Sequence, residues 1–200
     1  MDLQSNTIAV VGLGNPGKRY ELTRHNAGFQ VLDLVARRFS ITLSERKYPA
    51  WWGLASIQGG KALLCKPTTY MNLSGTAVGR MIRDFRIPAT QMLVVHDDLD
   101  LPCGRLKLVQ RGGAGGHRGV ASIIEQLGHQ DFPRLKLGIG RPLHEELVED
   151  YVLKPPYPEQ RAAFTEMIEH GADAVAQVVL TGLVAAMNRV NRADANPQTT

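Results

Sequence analysis

Ile8-Ala9-Val10-Val11 is a short unbroken apolar run that ends on Gly12. Such a run, bounded by glycine, predicts a buried strand over residues 7–13. Ala27, Val31, Leu32, Leu34, Val35 and Phe39 then recur at helical spacing. They predict a helix through Arg38, with Thr23 or Asn26 as its cap. Residues 51–58 and 61–66 read as two strands joined at Gly59-Gly60, a hairpin signal. Met71, Val78, Met81, Ile82 and Phe85 place an apolar stripe on a helix over 69–85. Residues 91–95 read as a further continuous strand, central in the sheet, ending in His96-Asp97-Asp98-Leu99-Asp100. Short strands follow at 105–109 and 135–139, flanking a helix over 119–127 that the loop Gly112-Gly113-Ala114-Gly115-Gly116 opens. Lys154-Pro155-Pro156 breaks the chain before a long helix over 158–180 and a last one over 183–192.

Strands and helices alternate, so the expected class is α/β: a single-domain three-layer α/β/α arrangement with a twisted mixed sheet. No repeat or low-complexity tract divides the chain. The expected domain covers residues 1–192, with 193–200 as a frayed tail. In such sheets, sites gather in loops beyond the carboxyl ends of the strands. Three of these loops carry chemistry here: residues 14–25, 96–100 and 111–118.

The chain has 200 residues, 44% hydrophobic and 21% charged, an ordinary composition for a globular protein. Its longest apolar runs fall well short of the ~20 residues that cross a bilayer. Residues 1–7 carry neither a basic region nor an apolar core of a secretory signal. The two cysteines, Cys65 and Cys103, suit free thiols in a reducing cytoplasm rather than a disulfide framework. Net charge is only +4, but residues 101–141 hold seven basic side chains against two acidic ones. A basic patch around a glycine-rich loop points to phosphates.

Gly12-Leu13-Gly14-Asn15-Pro16-Gly17 spells the dinucleotide fingerprint G-x-G-x-x-G. That reading also needs a second strand ending in Asp or Glu about twenty residues on. Asp33 falls near that distance but inside the first predicted helix. What the segment does carry is an amide, Asn15, followed by a titratable imidazole, His25. Histidine is the natural general base near neutral pH, and a carboxylate partner would fix its tautomer. Asp97, at the end of the central strand, is the candidate partner. Asp97, Asp98 and Asp100 also offer oxygens to Mg²⁺, but no further acidic loop completes a shell, so the orienting role ranks first. There is no G-x-S-x-G elbow and no zinc spacing among the histidines. Direct attack by water remains, with no metal and no cofactor expected.

Taken together, these segments resemble bacterial peptidyl-tRNA hydrolases. The resemblance is carried by Gly12-Leu13-Gly14-Asn15-Pro16-Gly17 with Tyr20 and Thr23-Arg24-His25-Asn26-Ala27-Gly28, then by Pro67-Thr68-Thr69-Tyr70-Met71-Asn72-Leu73-Ser74-Gly75. His96-Asp97-Asp98-Leu99-Asp100-Leu101-Pro102-Cys103-Gly104, Gly115-Gly116-His117-Arg118-Gly119, Gly138-Ile139-Gly140-Arg141-Pro142 and Tyr151-Val152-Leu153 continue it in family order. It spans residues 8–189.

The resemblance implies a cytoplasmic, monomeric esterase that releases peptide from peptidyl-tRNA, without obligate protein partner or membrane. It implies that His25 is the catalytic base, that Asp97 supports it and that Asn15 helps recognise the blocked acyl group. Tyr20, Tyr70, Met71 and Asn72 match substrate-binding positions. Arg118 stands where the best-known members have Asn; its guanidinium is a stronger donor that could also reach phosphate. The family's paired phosphate clamp is matched in one half by Lys136. The other half falls near Val109, with Lys107 and Arg111 as the nearest cations. The alternative is a non-catalytic RNA-binding protein of the same fold, because fold alone does not grant activity.

Overall fold

The computed structural model describes residues 7–45 and 47–195. Seven strands form one mixed sheet: β1 (Thr7–Gly12), β2 (Ser44–Glu45), β3 (Ala50–Ile57), β4 (Gly60–Pro67), β5 (Met92–Asp98), β6 (Leu106–Val109) and β7 (Arg134–Gly138). Their order across the sheet is β2-β3-β4-β1-β5-β7-β6. The pairs β4–β1, β1–β5 and β5–β7 are parallel, while both edges are antiparallel. The helices are α1 (Ala27–Arg38), α2 (Ser74–Asp84), α3 (Arg118–Leu127), α4 (Val148–Val152), α5 (Arg161–Thr181) and α6 (Leu183–Ala195).

Strand β1 is apolar from Ile8 onward because it is covered on both faces. Val10 packs with Val31, Leu32, Met167 and Val175 under α1, α5 and α6. Its neighbours Ala9 and Val11 join Val78, Met81, Val120 and Ile123 under α2 and α3 on the other face. This is the three-layer arrangement expected. Asn191 of α6 covers the β6 edge by bonding both the N–H and the C=O of Leu108, each at 2.9 Å. Such coverage removes exposed ladder groups that would otherwise invite strand pairing.

Several boundaries differ from expectation. Residues 71–73 form a 3-10 turn before α2 starts at Ser74, so the helix expected from 69 is shorter. A 3-10 turn at Pro158–Gln160 likewise precedes α5. Strand β5 runs on through Asp98, because β7 pairs with it as far as Asp98↔Gly138. Neither β2 nor α4 was anticipated. The last helix extends to Ala195, into the segment expected to fray, and residues 196–200 lie outside the described residues. Among the described residues, no helix is long and apolar enough to cross a membrane.

Two glycines shape the connection from β1 into α1, one by close packing and one by its turn. A Cβ on Gly28 would sit 2.3 Å from the Val95 carbonyl oxygen and 2.6 Å from the Leu13 nitrogen. That close approach seats the start of α1 on β1 and β5. Gly17 has φ 107° with open space around it, so the turn itself demands glycine there.

Candidate active site

A cleft of about 330 Å³ opens at the carboxyl ends of β1 and β5. His25 and Asn15 reach it from the β1–α1 connection, Asp97 from β5, and Tyr70, Met71 and Asn72 from the segment after β4. Arg118 enters from the start of α3 and Glu149 from α4.

The His25 Nδ1 lies 3.0 Å from both carboxylate oxygens of Asp97. An ionised carboxylate only accepts, so Nδ1 carries the proton and Nε2 keeps a lone pair. Burial opposes a charge on His25, but the Asp97 charge and hydrogen bond outweigh it and raise the pKa above 6.5; the Arg118 charge pulls the other way. Asp97 is itself buried, which would raise its pKa. The charges and hydrogen bonds of His25 and His117 win, and hold it far below the usual carboxylate range.

His117 is the second donor to Asp97, with Nε2 3.0 Å from Oδ1. Its Nδ1 accepts the backbone N–H groups of Gly119 and Val120 at 3.1 and 3.2 Å, capping α3. Those two bonds fix the tautomer: Nδ1 is bare and Nε2 is protonated. His25, Asp97 and His117 place ligand atoms within 4.8 Å of one another, close enough for a metal to span. The cap argues for a proton network instead, because the His117 nitrogen facing Asp97 has no lone pair to give. The other acidic residues of this loop are also engaged: Asp98 by Lys136 at 2.7 Å and Asp100 by Arg141 at 2.5 Å.

Asn15 is held from both sides. The Asn26 amide bonds its backbone N–H at 2.8 Å and its C=O at 3.0 Å. The Met71 N–H donates to Asn15 Oδ1 at 2.9 Å. With the oxygen committed, the Nδ2 donors are the part of this amide left to the cleft.

His25, Asp97, Asn15, Tyr20, Tyr70, Met71, Asn72 and Arg118 all line this one cleft. Lys107, Arg111 and Lys136 are not among its lining residues. Lys107 and Arg111 are exposed, and Lys136 is already paired with Asp98. Neither expected cap, Thr23 nor Asn26, makes a side-chain capping bond; Asn26 clamps Asn15 instead. At the start of α3, His117 occupies two of the backbone N–H groups that a helix start leaves free.

Three contributors were not foreseen. His117 was noted only as part of a glycine-rich loop. His96, buried beside it with ring centroids 4.8 Å apart, donates from Nδ1 to the Asp97 C=O at 2.7 Å. Burial and the nearby His117 push its pKa down to about 3, so it stays neutral. Arg24 is 1% exposed, and its guanidinium stacks 3.8 Å from the Tyr151 ring. It also bonds the carbonyls of Tyr151, Lys154 and Pro155, tying the end of α4 to the His25 segment. The one signal in the chain was its place next to His25.

Fold and cleft together define the class: a three-layer α/β enzyme of hydrolytic type, with an imidazole–carboxylate centre beyond its parallel strands. The family model described as peptidyl-tRNA hydrolase matches residues 9–198. The chain belongs to the peptidyl-tRNA hydrolase family. A Geobacillus thermodenitrificans peptidyl-tRNA hydrolase is 47% identical over 181 residues, covering 90% of this chain and 97% of that one. One from Haemophilus influenzae is 45% identical over 184 residues, covering 91% and 95%. The crystal structure of peptidyl-tRNA hydrolase from Acinetobacter baumannii superposes with TM-score 0.87 at 36% identity, covering 94% and 95%. An MTA/SAH nucleosidase, at 8% identity, TM-score 0.53 and coverage of 90% and 98%, shares the fold alone.

Proposed function

We propose that this chain hydrolyses the ester between a peptide, or an N-blocked amino acid, and the 3′ ribose of tRNA. One observation carries the mechanism: His25 Nδ1–H is bound by Asp97, which leaves Nε2 as a base in the cleft beside Asn15. His25 takes a proton from water, and the resulting hydroxide oxygen attacks the ester carbonyl carbon. Negative charge gathers on the former carbonyl oxygen, where the side-chain amides of Asn15 and Asn72 donate. As the acyl–oxygen bond breaks, the imidazolium returns its proton to the ribose 3′ oxygen. Asp97 stays ionised throughout and stabilises the transient imidazolium.

Tyr20, Tyr70 and Met71 form walls for the substrate's 3′ end. Arg118, Lys107, Arg111 and Lys136 supply positive charge for acceptor-stem phosphates, Lys136 by exchanging its Asp98 contact. Affinity for tRNA should therefore fall as salt rises. The reading places the protein in the cytoplasm as a monomer that returns tRNA to translation, with residues 1–192 as its hydrolase domain.

The test is deacylation of N-acetylaminoacyl-tRNA by the purified chain, beside the same tRNA with a free α-amino group. Release of the N-acetylated amino acid, with the free form spared, is expected. An intact blocked substrate at every enzyme concentration would overturn the assignment.

A further inference from the structure

We propose that Glu149 sets the anion selectivity of the cleft: it holds the Arg118 guanidinium in the free enzyme and is displaced there by the acceptor-arm phosphate nearest the scissile ester. This deepens the functional reading above and rests on it. Arg118 and Glu149 both line the cleft, one at the start of α3 and the other in the first turn of α4. Arg118 Nη2 donates to Glu149 Oε1 at 3.4 Å, which joins the two helices across the cleft.

Position is the first argument. Arg118 directly follows His117, whose ring centroid lies 4.9 Å from that of His25. Its charge reaches His25 and opposes protonation there. A guanidinium this close to the base meets the phosphate next to the ester before any other. Glu149 is presented to it from an anchored helix. The Tyr151 hydroxyl of α4 donates to the Ile139 C=O at 2.5 Å, and Arg24 bonds the Tyr151 C=O at 3.1 Å. The fold therefore brings Glu149 to Arg118, although the two side chains are 64% and 69% exposed.

Chemistry is the second. One guanidinium nitrogen meets one carboxylate oxygen at 3.4 Å, so the contact is single and long. Exposed pairs of this kind contribute little to stability. A phosphodiester offers two unbridged oxygens, which match the guanidinium fork as a pair. The phosphate is therefore the stronger partner, and the carboxylate is the one displaced. The loop after β5 treats two other cations alike: Asp98 occupies Lys136 at 2.7 Å and Asp100 occupies Arg141 at 2.5 Å. Arg118 has the longest of these contacts and is released most readily. A lone anion meets a guanidinium already neutralised, beside a carboxylate that repels it. RNA held elsewhere by Lys107 and Arg111 delivers its phosphate at high local concentration and overcomes that carboxylate.

The test is binding of uncharged tRNA, which needs no turnover, to the parent chain, Glu149→Gln, Arg118→Gln and the double variant, each checked by its melting curve. Glu149→Gln should tighten binding about threefold, the scale of one surface pair. Its affinity should also fall more steeply with salt, by about 0.7 in the log–log slope, because a freed Arg118 releases a counterion when the phosphate arrives. Arg118→Gln should weaken binding, and on that background Glu149→Gln should change affinity by less than about 1.5-fold. The gain should vanish as well for tRNA trimmed of its 3′-terminal CCA. Unchanged or weaker binding by Glu149→Gln would overturn the proposal. So would an equal gain on the Arg118→Gln background or with trimmed tRNA, since Glu149 would then only repel RNA at a distance. Should Glu149→Gln fail to fold, Glu149→Ala is read in the same way. If N-acetylaminoacyl-tRNA stays intact, the functional reading fails, while the binding series still decides the Glu149 contact.

Discussion

Replacing Asp97 by Asn changes a single atom type and probes the whole proton network. Asp97 accepts from two imidazoles, His25 Nδ1 and His117 Nε2, each at 3.0 Å. An amide has one accepting oxygen and one donating nitrogen. The backbone N–H groups of Gly119 and Val120 pin the His117 tautomer, so His117 must still donate, and the amide oxygen must turn to it. The amide NH₂ then faces His25, which has to accept at Nδ1 and carry its proton on Nε2. That is the tautomer that cannot take a proton from water. Losing a hydrogen bond to a charged group costs about 1.5–3 kcal/mol. At 1.36 kcal/mol per decade this alone slows the reaction about ten- to 150-fold. Losing the base in its active tautomer is worth about 10²–10⁴-fold, the larger effect. We therefore expect Asp97→Asn to lower the plateau rate by about 10³-fold. The pH profile adds a second readout. Asp97 is what raises the His25 pKa above 6.5, against burial and the Arg118 charge. Without it, the acid limb of the rate profile moves to lower pH. Single-turnover deacylation of N-acetylaminoacyl-tRNA across about pH 5–9 reads both quantities. A plateau within about threefold of the parent, or an acid limb that moves upward, would refute the reasoning.

Three further outcomes follow from the same geometry. His117→Ala removes the α3 cap and should cost about 0.5–2 kcal/mol in denaturant unfolding; its His25 acid limb should move to higher pH, because Asp97 loses a competing donor. Gly28→Ala drives a methyl group into the Val95 carbonyl and Leu13 backbone, and should destabilise by about 3 kcal/mol or more, read as a fall in melting temperature. His96 is held neutral down to about pH 3 in the fold but charges near 6.5 once unfolded, so the unfolded chain binds the extra proton first. Stability should fall as pH drops from 6.5 toward 3, and His96→Gln should flatten that slope in pH-dependent melting; an unchanged slope would count against it.

The layers were legible because their signals are local. A continuous apolar run fits a strand covered on both faces, and Val31, Leu32 and Val35 fit a helix with one buried face. Elements as short as β2 and α4 leave no period to detect. The extension of β5 through His96 and Asp97 was hidden because charged side chains argue against a strand, while ladder pairing to β7 overrides that preference. His25, Asp97 and Asn15 stood out because each ends an element or sits in a glycine turn. His117 and Arg24 did not, since their roles depend on partners far along the chain: Asp97 for the one, Tyr151 and Pro155 for the other. The same holds for Asn26, whose amide reads as a helix cap until the fold brings Asn15 alongside.

The most direct test of the account is the His25→Ala variant, compared with the parent chain on N-acetylaminoacyl-tRNA under single-turnover conditions, with tRNA binding measured in parallel. The account predicts a rate about 10²–10⁴-fold lower with binding close to the parent's. Turnover equal to the parent's would contradict it.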